Sequence, residues 1–290
     1  MRRTTTLLMV ALALVAAIAI AVAVGCAGDD NGDDDEGKGT GTLVFTANGE
    51  EFVREGFTSK DGWDLVFDHL YITIKSPTAF QVAEDEGKGE KHGGHPHEDI
   101  PEGAAHEALI GEFFVDLAAG DGPTELGRVE DAEVGNYNRL NFDVVDATSE
   151  AEGLVSDYEG YSIVMIGTAT KGHGSKHQVI NFNIKLTEQM RYTNCGPNED
   201  AGVVEKGGVG YAEMTFHFDH VFGDIEGEED LNEFALGFDP LAELADEDGN
   251  LDVTQEDLEN NMSAGDYLKF MDALRSIGHS GEAHCDYEPL

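Results

Sequence analysis

Alternation of apolar and polar residues within residues 160–186 is the sequence feature that most constrains the fold. This segment, GYSIVMIGTATKGHGSKHQVINFNIKL, contains two strand-like halves joined by the tip KGHGSK. Every second residue from Ile180 to Leu186 is apolar, and the residues between them are polar. Because successive side chains of a strand point to opposite faces, one face of this segment is apolar. The segment therefore predicts a β-hairpin packed on a core.

Further strand-like segments precede and follow this hairpin, separated by Gly, Asp and Asn turns. They cover residues 43–48, 63–74, 108–117, 137–145 and 210–222. We expect Pro77 to end the second of them or to move the chain to a sheet edge. About eight short strands without helical crossovers predict a mainly β fold, an antiparallel β-sandwich or barrel, over residues 42–224.

Residues 225–290 have a helical pattern instead. EEDLNEFAL and FDPLAEL predict two short helices, and SAGDYLKFMDALRSIG predicts a longer one. In the longer helix Ser263 and Asp266 resemble a capping box, and Gly278 follows its end. This region is predicted to be a small helical C-terminal appendage, whose apolar stripe docks on the β domain.

The N-terminus has the charge and hydropathy order of a secretory signal. Arg2 and Arg3 precede the apolar run 7–24, and small residues lead to Cys26. This arrangement resembles a prokaryotic lipoprotein precursor over the first 26 residues, although Ala23 stands where the lipobox usually has Leu. The resemblance implies a signal peptide over residues 1–25 and a lipid on the Cys26 thiol. A transmembrane anchor and an ordinary secreted protein are the alternatives.

Residues 26–41 contain AGDDNGDDDEGKGTG after Cys26, which is rich in Asp and Gly and nearly devoid of apolar side chains. Such a composition buries too little surface to fold, so we expect a disordered acidic tether. The expected location is the cell envelope, with the protein lipid-anchored to a membrane and facing the periplasm or the exterior.

Cys195 and Cys285 remain once Cys26 is assigned to a lipid. Two thiols in an extracytoplasmic protein most often form a disulfide, which would join the C-terminal tail to the loop around residue 195. The alternative is a pair of metal ligands, which is less favoured because neither cysteine belongs to a Cys-x-x-Cys pair.

The chain carries a formal net charge of −42, and removal of Arg2 and Arg3 with the signal gives −44 because no acidic residue precedes Asp29. A chain this acidic is not expected to bind nucleic acid or an anionic membrane surface. Two interpretations remain open: a solvated surface adapted to salt, and a protein that recruits cations.

Histidine is concentrated in KHGGHPHEDIPEGAAH, residues 91–106. Imidazole is a preferred ligand of Zn²⁺, Cu²⁺ and Ni²⁺, and carboxylates complete such sites. The loop is similar in composition to the His- and acid-rich loops of the periplasmic zinc-binding proteins of importers, but their α/β fold is not expected here. An incidental cluster in a solvated acidic loop is the alternative. The predicted metal ligands are His92, His95, His97 and His106.

Phe-Asp-His occurs twice, in LVFDHLYITI (residues 65–74) and in TFHFDHVFGD (residues 215–224), and these Asp-His pairs could belong to the core or to a metal site. If residues 210–222 are extended, His217 and Asp219 share a face, and His220 lies on the opposite one. One interpretation closes the core with an Asp68–His220 or Asp219–His69 hydrogen bond. The other places His217 and Asp219 in a surface metal site, with His69 or His177 from a neighbouring strand.

The segment LADEDGNLDVTQEDLE, residues 244–259, resembles part of an EF-hand calcium loop. It departs from that pattern at the first position, which is Leu244, and at the twelfth, which is Gln255. The alternative is an acidic turn between helices, capped by Thr254. The calcium ligands that the resemblance implies, in a register starting at residue 246, are Asp246, Asp248, Asn250, Asp252 and Asp257.

Signatures of enzymes such as G-x-S-x-G, H-E-x-x-H, Walker and dinucleotide motifs do not occur in the chain. We therefore expect a non-enzymatic metal-binding protein that scavenges or buffers Zn²⁺, Cu²⁺ or Ni²⁺, or delivers it to a metal-handling partner in the membrane or periplasm. The alternative function is a structural or adhesive surface module with an acidic, salt-adapted surface and stabilising calcium. A weaker alternative is a carbohydrate-binding or hydrolytic sandwich that uses Trp63, the only tryptophan.

Overall fold

A computed structural model describes residues 39–83, 100–196, 202–227 and 229–290. The predicted signal sequence, Cys26, nearly all of the tether, and His92, His95 and His97 lie outside these ranges. Within the described ranges, no helix combines the length and the apolar character needed to cross a membrane.

The first part of the described chain is almost entirely β. Its elements are, in order, β1 (Thr40–Asn48), α1 (Glu50–Glu55), β2 (Phe57–Thr58), β3 (Asp64–Phe80), β4 (His106–Ala108), β5 (Glu112–Asp116), β6 (Thr124–Glu133), β7 (Gly135–Asn136) and β8 (Arg139–Val144).

The second part contains strands followed by short helices and more strands. Two 3₁₀ turns, Ser156–Tyr158 and Gly174–Lys176, lie among the first of these strands. The elements are β9 (Ile163–Lys171), β10 (Gln178–Leu186), β11 (Met190–Cys195), β12 (Val203–Val204), β13 (Val209–Phe216), α2 (Asp219–Phe222), α3 (Glu229–Phe234), α4 (Asp239–Ala242), β14 (Asn250–Thr254), α5 (Gln255–Asn261), α6 (Ala264–Arg275), β15 (Gly278–Ser280), β16 (Ala283–His284) and β17 (Asp286–Pro289).

Two sheets enclose a common core in a β-sandwich-like fold, as predicted. The smaller has the order β16-β15-β13-β1-β6, and the larger the order β14-β10-β9-β3-β8-β11-β17, with β2, β4 and β5 also paired to β3. Most pairings are antiparallel, whereas β1–β13 and β10–β14 are parallel. Phe142 of the larger sheet and Phe216 of the smaller meet edge to face, 5.6 Å between ring centroids. Their contact lies in the continuous apolar core.

The predicted hairpin over residues 160–186 is present as β9 and β10, and its apolar residues from Ile180 to Leu186 are buried. Pro77 does not end β3, contrary to expectation. The pairing of β3 with β8 shifts register between Lys75 and Thr78, and Ser76 has a φ of 44°. This bulge accommodates Pro77 within the strand.

The helical appendage contains the predicted helices, and α6 is capped by Ser263, which accepts a hydrogen bond from the backbone of Asp266. The same segment also contributes β14 and β17 to the larger sheet and β15 and β16 to the smaller. Residues 225–290 therefore form strands of both sheets as well as helices.

The predicted Cys195–Cys285 disulfide is present and joins the end of β11 to the residue between β16 and β17. Trp63 is only 2% exposed, and its Nε1–H donates to Asp239 at 2.7 Å. Trp63 is therefore a core anchor, and its ring offers no face for a sugar.

Candidate metal centre

The strand β13 ends at Phe216, so the prediction of an extended chain through residue 222 is wrong. Phe218 has helical dihedral angles, and α2 forms one turn from Asp219 to Phe222. Phe218, Val221 and Phe222 are buried, and their spacing fits one face of a helix. The sequence of this segment fits one face of a strand equally well. The change from strand to helix brings His217, Asp219 and His220 together, and one ligand atom of each lies within 4.8 Å of the other two.

His217 follows β13 and is buried. Its backbone N–H donates to the carbonyl of Ile277, which fixes the chain at this point. Its Nε2 lies 3.3 Å from the carbonyl oxygen of Gly281, a contact that requires the proton on Nε2 because a carbonyl only accepts. In the neutral ring Nδ1 then has the lone pair, and Nδ1 faces two carboxylates, at 3.9 Å from Asp219 and 3.7 Å from Glu50.

His220 is held in a comparable way on the first turn of α2. Its Nδ1 lies 3.2 Å from both the carbonyl and the hydroxyl oxygen of Ser276. That hydroxyl donates its own proton to Ala273, so it accepts from His220 Nδ1–H. The lone pair of His220 is therefore on Nε2. A backbone acceptor that fixes the tautomer of a histidine is a common feature around metal ligands.

Asp219 and Glu50 supply negative charge beside these two imidazoles. Asp219 is 8% exposed, and its Oδ1 has no hydrogen-bond partner. Glu50 has a φ of 61°, a left-handed conformation that non-glycine residues rarely adopt, and its backbone N–H donates to the side chain of Asn48. Burial raises the pKa of Glu50, neighbouring carboxylates add to that effect, and His217 opposes it. A buried carboxylate oxygen without a hydrogen bond and a strained backbone both point to a functional site.

The hairpin β15–β16 contributes two further histidines beside His217, Asp219 and His220. His279 pairs with Thr215 of β13 on one side and with His284 on the other. The His279 and His284 rings, directly opposite across the hairpin, have centroids 4.3 Å apart. His284 is exposed and immediately precedes Cys285, so the disulfide anchors its backbone.

His279 is the most buried member of this group, at 2% exposure. Its ring centroid lies 4.2 Å from that of His217 and 5.0 Å from that of His220. Neither of its ring nitrogens makes a hydrogen bond of ordinary length and angle. Burial and the surrounding imidazoles lower the pKa of His279 to about 2, and a weak backbone contact with Ser276 opposes them. Burial is also the main reason that the pKa of His220 is lowered, although Asp219 opposes it. Neutral imidazoles are the form that binds metal ions.

We refer to His217, Asp219, His220, His279, His284 and Glu50 as the histidine cluster. Its three unpaired buried atoms, Oδ1 of Asp219 and the two ring nitrogens of His279, are costly unless something binds them. A divalent transition metal ion would bind the carboxylate oxygen and the single lone pair of a neutral imidazole, since imidazole and carboxylate suit Zn²⁺, Cu²⁺ and Ni²⁺. The donor set of the cluster therefore fits such an ion.

The metal ligands predicted from the sequence do not all lie in the histidine cluster. His217 and Asp219 lie in the cluster, whereas His106 is an exposed residue of β4 next to Phe80. His69 contacts Asp116 at 2.7 Å, so neither predicted Asp-His pair between the two Phe-Asp-His runs is formed. Asp68 is exposed, and His177 lies on the exposed tip of the β9–β10 hairpin.

Four of the five side chains predicted in the EF-hand-like segment, those of Asp246, Asn250, Asp252 and Asp257, contact other groups of the chain. Asp246 accepts hydrogen bonds from the backbone of Asp248 and from Asn250. Asp252 forms an ion pair with Lys185 at 2.6 Å, and Asp257 forms a capping box with Thr254. Within the described part of the chain, the one group with ligand atoms this close together is His217, Asp219 and His220.

Four members of the cluster, Glu50, His220, His279 and His284, were not predicted as metal ligands from the sequence. The pair His279 and His284 lies in GHSGEAHC, where a short Gly-containing turn separates two histidines just before the predicted disulfide. That pattern is typical of a hairpin and would have placed both rings on one face. Glu50 has no comparable signal, because its role depends on contacts with residues far along the chain.

Comparisons with protein-family models, with curated proteins and with solved structures each gave no match to this chain.

Proposed function

We propose that this chain is an extracytoplasmic, lipid-anchored protein that binds a divalent transition metal ion, Zn²⁺ or Cu²⁺, in the histidine cluster. His217 Nδ1, Asp219 Oδ1 and His220 Nε2 are the proposed ligands, and His279, whose ring centroid lies 4.2 Å from that of His217, positions the His217 ring. The observation that carries the proposal is the buried Oδ1 of Asp219, which has no hydrogen-bond partner and lies 3.9 Å from His217 Nδ1, in a residue grouped within 4.8 Å of two imidazoles. Scavenging, buffering or delivery of the ion would follow from reversible binding.

The chemistry of the cluster also bears on which ions it would take. Hard cations such as Ca²⁺ and Mg²⁺ prefer shells of oxygen atoms, whereas this cluster has four imidazoles and two carboxylates. The hydrogen bonds of His217 to Gly281 and of His220 to Ser276 hold two rings in place before an ion arrives. Such preorganisation lowers the cost of binding.

The proposed location has separate support. The charge order of the first 26 residues resembles a lipoprotein precursor, and a lipid on Cys26 would attach the chain to a membrane surface. A disulfide between Cys195 and Cys285 fits an oxidising compartment, because such bonds are rare in the cytosol. The net charge of −42 would concentrate cations around the protein.

The test is calorimetric titration of the mature chain, with Cys26→Ser, against Zn²⁺ and Cu²⁺. The cluster variant carries Asp219→Asn and His220→Ala, and a second variant has His92, His95, His97 and His106 replaced by alanine. We expect one tight site of micromolar Kd or better, about −8 kcal/mol. That site should disappear in the cluster variant and survive in the loop variant. His177→Ala, at an exposed hairpin tip, is the matched control.

Three other results have distinct meanings. Loss of binding in the loop variant alone would move the site to residues 92–106 and refute the cluster as the site. Absence of tight binding in the unmodified chain would refute the metal function altogether. Strong stabilisation by NaCl or Ca²⁺ in that case would favour the alternative, a structural or adhesive surface module.

A further inference from the structure

A groove of about 830 Å³ opens beside the histidine cluster. His220, Ser276 and His284 form part of its wall, so the groove and the cluster share two histidines. The rest of the wall comes mainly from α3 and α6. It includes three exposed apolar side chains, Phe234, Leu268 and Tyr287.

His220 is the residue that connects the groove to the proposed ion. Its Nδ1 faces Ser276, which leaves Nε2 as the metal-binding atom. An ion on that atom would lie beside the groove wall. Sites with three protein ligands commonly keep a coordination position for an outside ligand. The groove is within the size range of cavities that enclose small organic molecules.

The polar part of the wall determines which charge the groove would accept. It contains the carboxylates of Glu233 and Asp272 and one cation, Lys269. The Lys269 ammonium already donates to the backbone carbonyl of Glu233. An anionic guest would be repelled by this wall and by the acidic chain as a whole, whereas a cationic complex would be attracted.

We propose that the groove binds a small organic chelator with a flat apolar body, which shares the metal ion with the histidine cluster. Its donor atoms complete the coordination of the ion, and its body packs on Leu268, Phe234 and Tyr287. The guest is a neutral chelator, so the chelator and its divalent ion together form a cation. This inference rests on the proposed function, since the ion links the guest to the protein.

The experiment uses 1,10-phenanthroline, a flat, neutral nitrogen chelator, with the mature chain carrying Cys26→Ser. Zinc binding is first measured by calorimetry without the chelator. Equilibrium dialysis then measures phenanthroline retained by the zinc-loaded and by the metal-free chain. We expect one phenanthroline per zinc-loaded chain and none on the metal-free chain. Leu268→Gln should weaken retention at least tenfold and leave zinc binding unchanged.

The matched control is Ile110→Gln, because Ile110 is also highly exposed and lies between β4 and β5, outside the residues that line the groove. Removal of zinc without retention of phenanthroline would overturn the inference and leave the proposed function intact. Equal retention by Leu268→Gln would overturn it as well. A dimer in sedimentation that Leu268→Gln dissociates would show that a second copy covers the groove, which also overturns it. Absence of zinc binding in the first step would refute the proposed function itself.

Discussion

His279→Leu should stabilise the metal-free protein while weakening its hold on the metal. The imidazole is 2% exposed, and neither ring nitrogen makes a hydrogen bond of ordinary length and angle. An unsatisfied buried polar group costs about 1–3 kcal/mol. Two such groups at the lower end of that range cost about 2 kcal/mol. Leucine is of similar size, and repacking a well-packed site of this kind costs up to about 1 kcal/mol.

The net gain for the metal-free chain is therefore about 1–2 kcal/mol in the free energy of unfolding. For a chain of this length that gain raises Tm by roughly 2–8 °C. The measurement is urea unfolding in EDTA, with the disulfide intact. At Zn²⁺ one hundred times the wild-type Kd, wild type gains about 2.7 kcal/mol, and a variant that binds tenfold more weakly gains about half of that. The difference in free energy of unfolding between the variant and wild type should therefore narrow or change sign when zinc is added.

The result that would refute this reasoning is a loss of more than about 1 kcal/mol in EDTA for His279→Leu, since a residue so affected makes favourable contacts in the metal-free state. Unchanged zinc stabilisation in the variant would separately refute a role for His279 in metal binding. His177→Leu is the control, because His177 is exposed on the β9–β10 hairpin tip. It should change neither measurement.

Three further predictions follow from charge and covalent structure. The pKa of His279 is lowered to about 2 in the folded state, so below about pH 6.5 the unfolded chain binds a proton that the folded chain does not. The free energy of unfolding therefore falls as pH falls through this range. Wild type in EDTA should lose about 1.4 kcal/mol more than His279→Leu between pH 7.5 and 5.5, and parallel pH profiles would contradict this. Replacing Cys195 and Cys285 with serine removes a disulfide across a sequence separation of 90, and chain entropy predicts a loss of about 4–5 kcal/mol in the free energy of unfolding. The same change should lower zinc affinity by displacing His284. Unaltered affinity would show that the hairpin β15–β16 needs no anchor. In a bacterial host the full chain should enter the detergent phase on Triton X-114 partitioning, and Cys26→Ser should return it to the aqueous phase; equal partitioning would rule out a lipid on Cys26.

Local pattern was sufficient for the strands whose two faces differ. The hairpin β9–β10 was predictable because its apolar residues alternate strictly and its tip contains two glycines. Helix α6 was predictable for a related reason, since Ser263 and Asp266 mark its start and an apolar stripe follows. In both cases the determining interactions lie within the segment itself.

The turn at residues 217–222 was not predictable from pattern because its residues fit two periods. Phe216, Phe218 and Phe222 alternate as in a strand, but Phe218, Val221 and Phe222 also share a face of a helix. The structure resolves this through contacts with residues far away in sequence, such as the bond from His217 to Ile277. Tertiary contacts decide between two local structures of similar propensity.

The histidine cluster as a whole required the fold. Two of its members, His217 and Asp219, were identified as metal ligands because their types and spacing suit an ion. His279 enters only because β15 pairs with β13, and that pairing joins segments more than sixty residues apart. The EF-hand-like segment was identified from residue types and spacing alone, and the fold places its Leu251 and Val253 in the parallel strand β14.

The wide spacing of the cluster along the chain also determines when a metal site can exist. Its residues come from the start of α1, from the turn after β13 and from the hairpin β15–β16, so a ribosome or an export channel releases them at separate times. A chain that has emerged only as far as Phe222 lacks the residues of β15 and β16, and it cannot hold the ion as the finished protein does. The proposed ion would therefore enter only after the sandwich has closed, and bound metal would show that folding is complete.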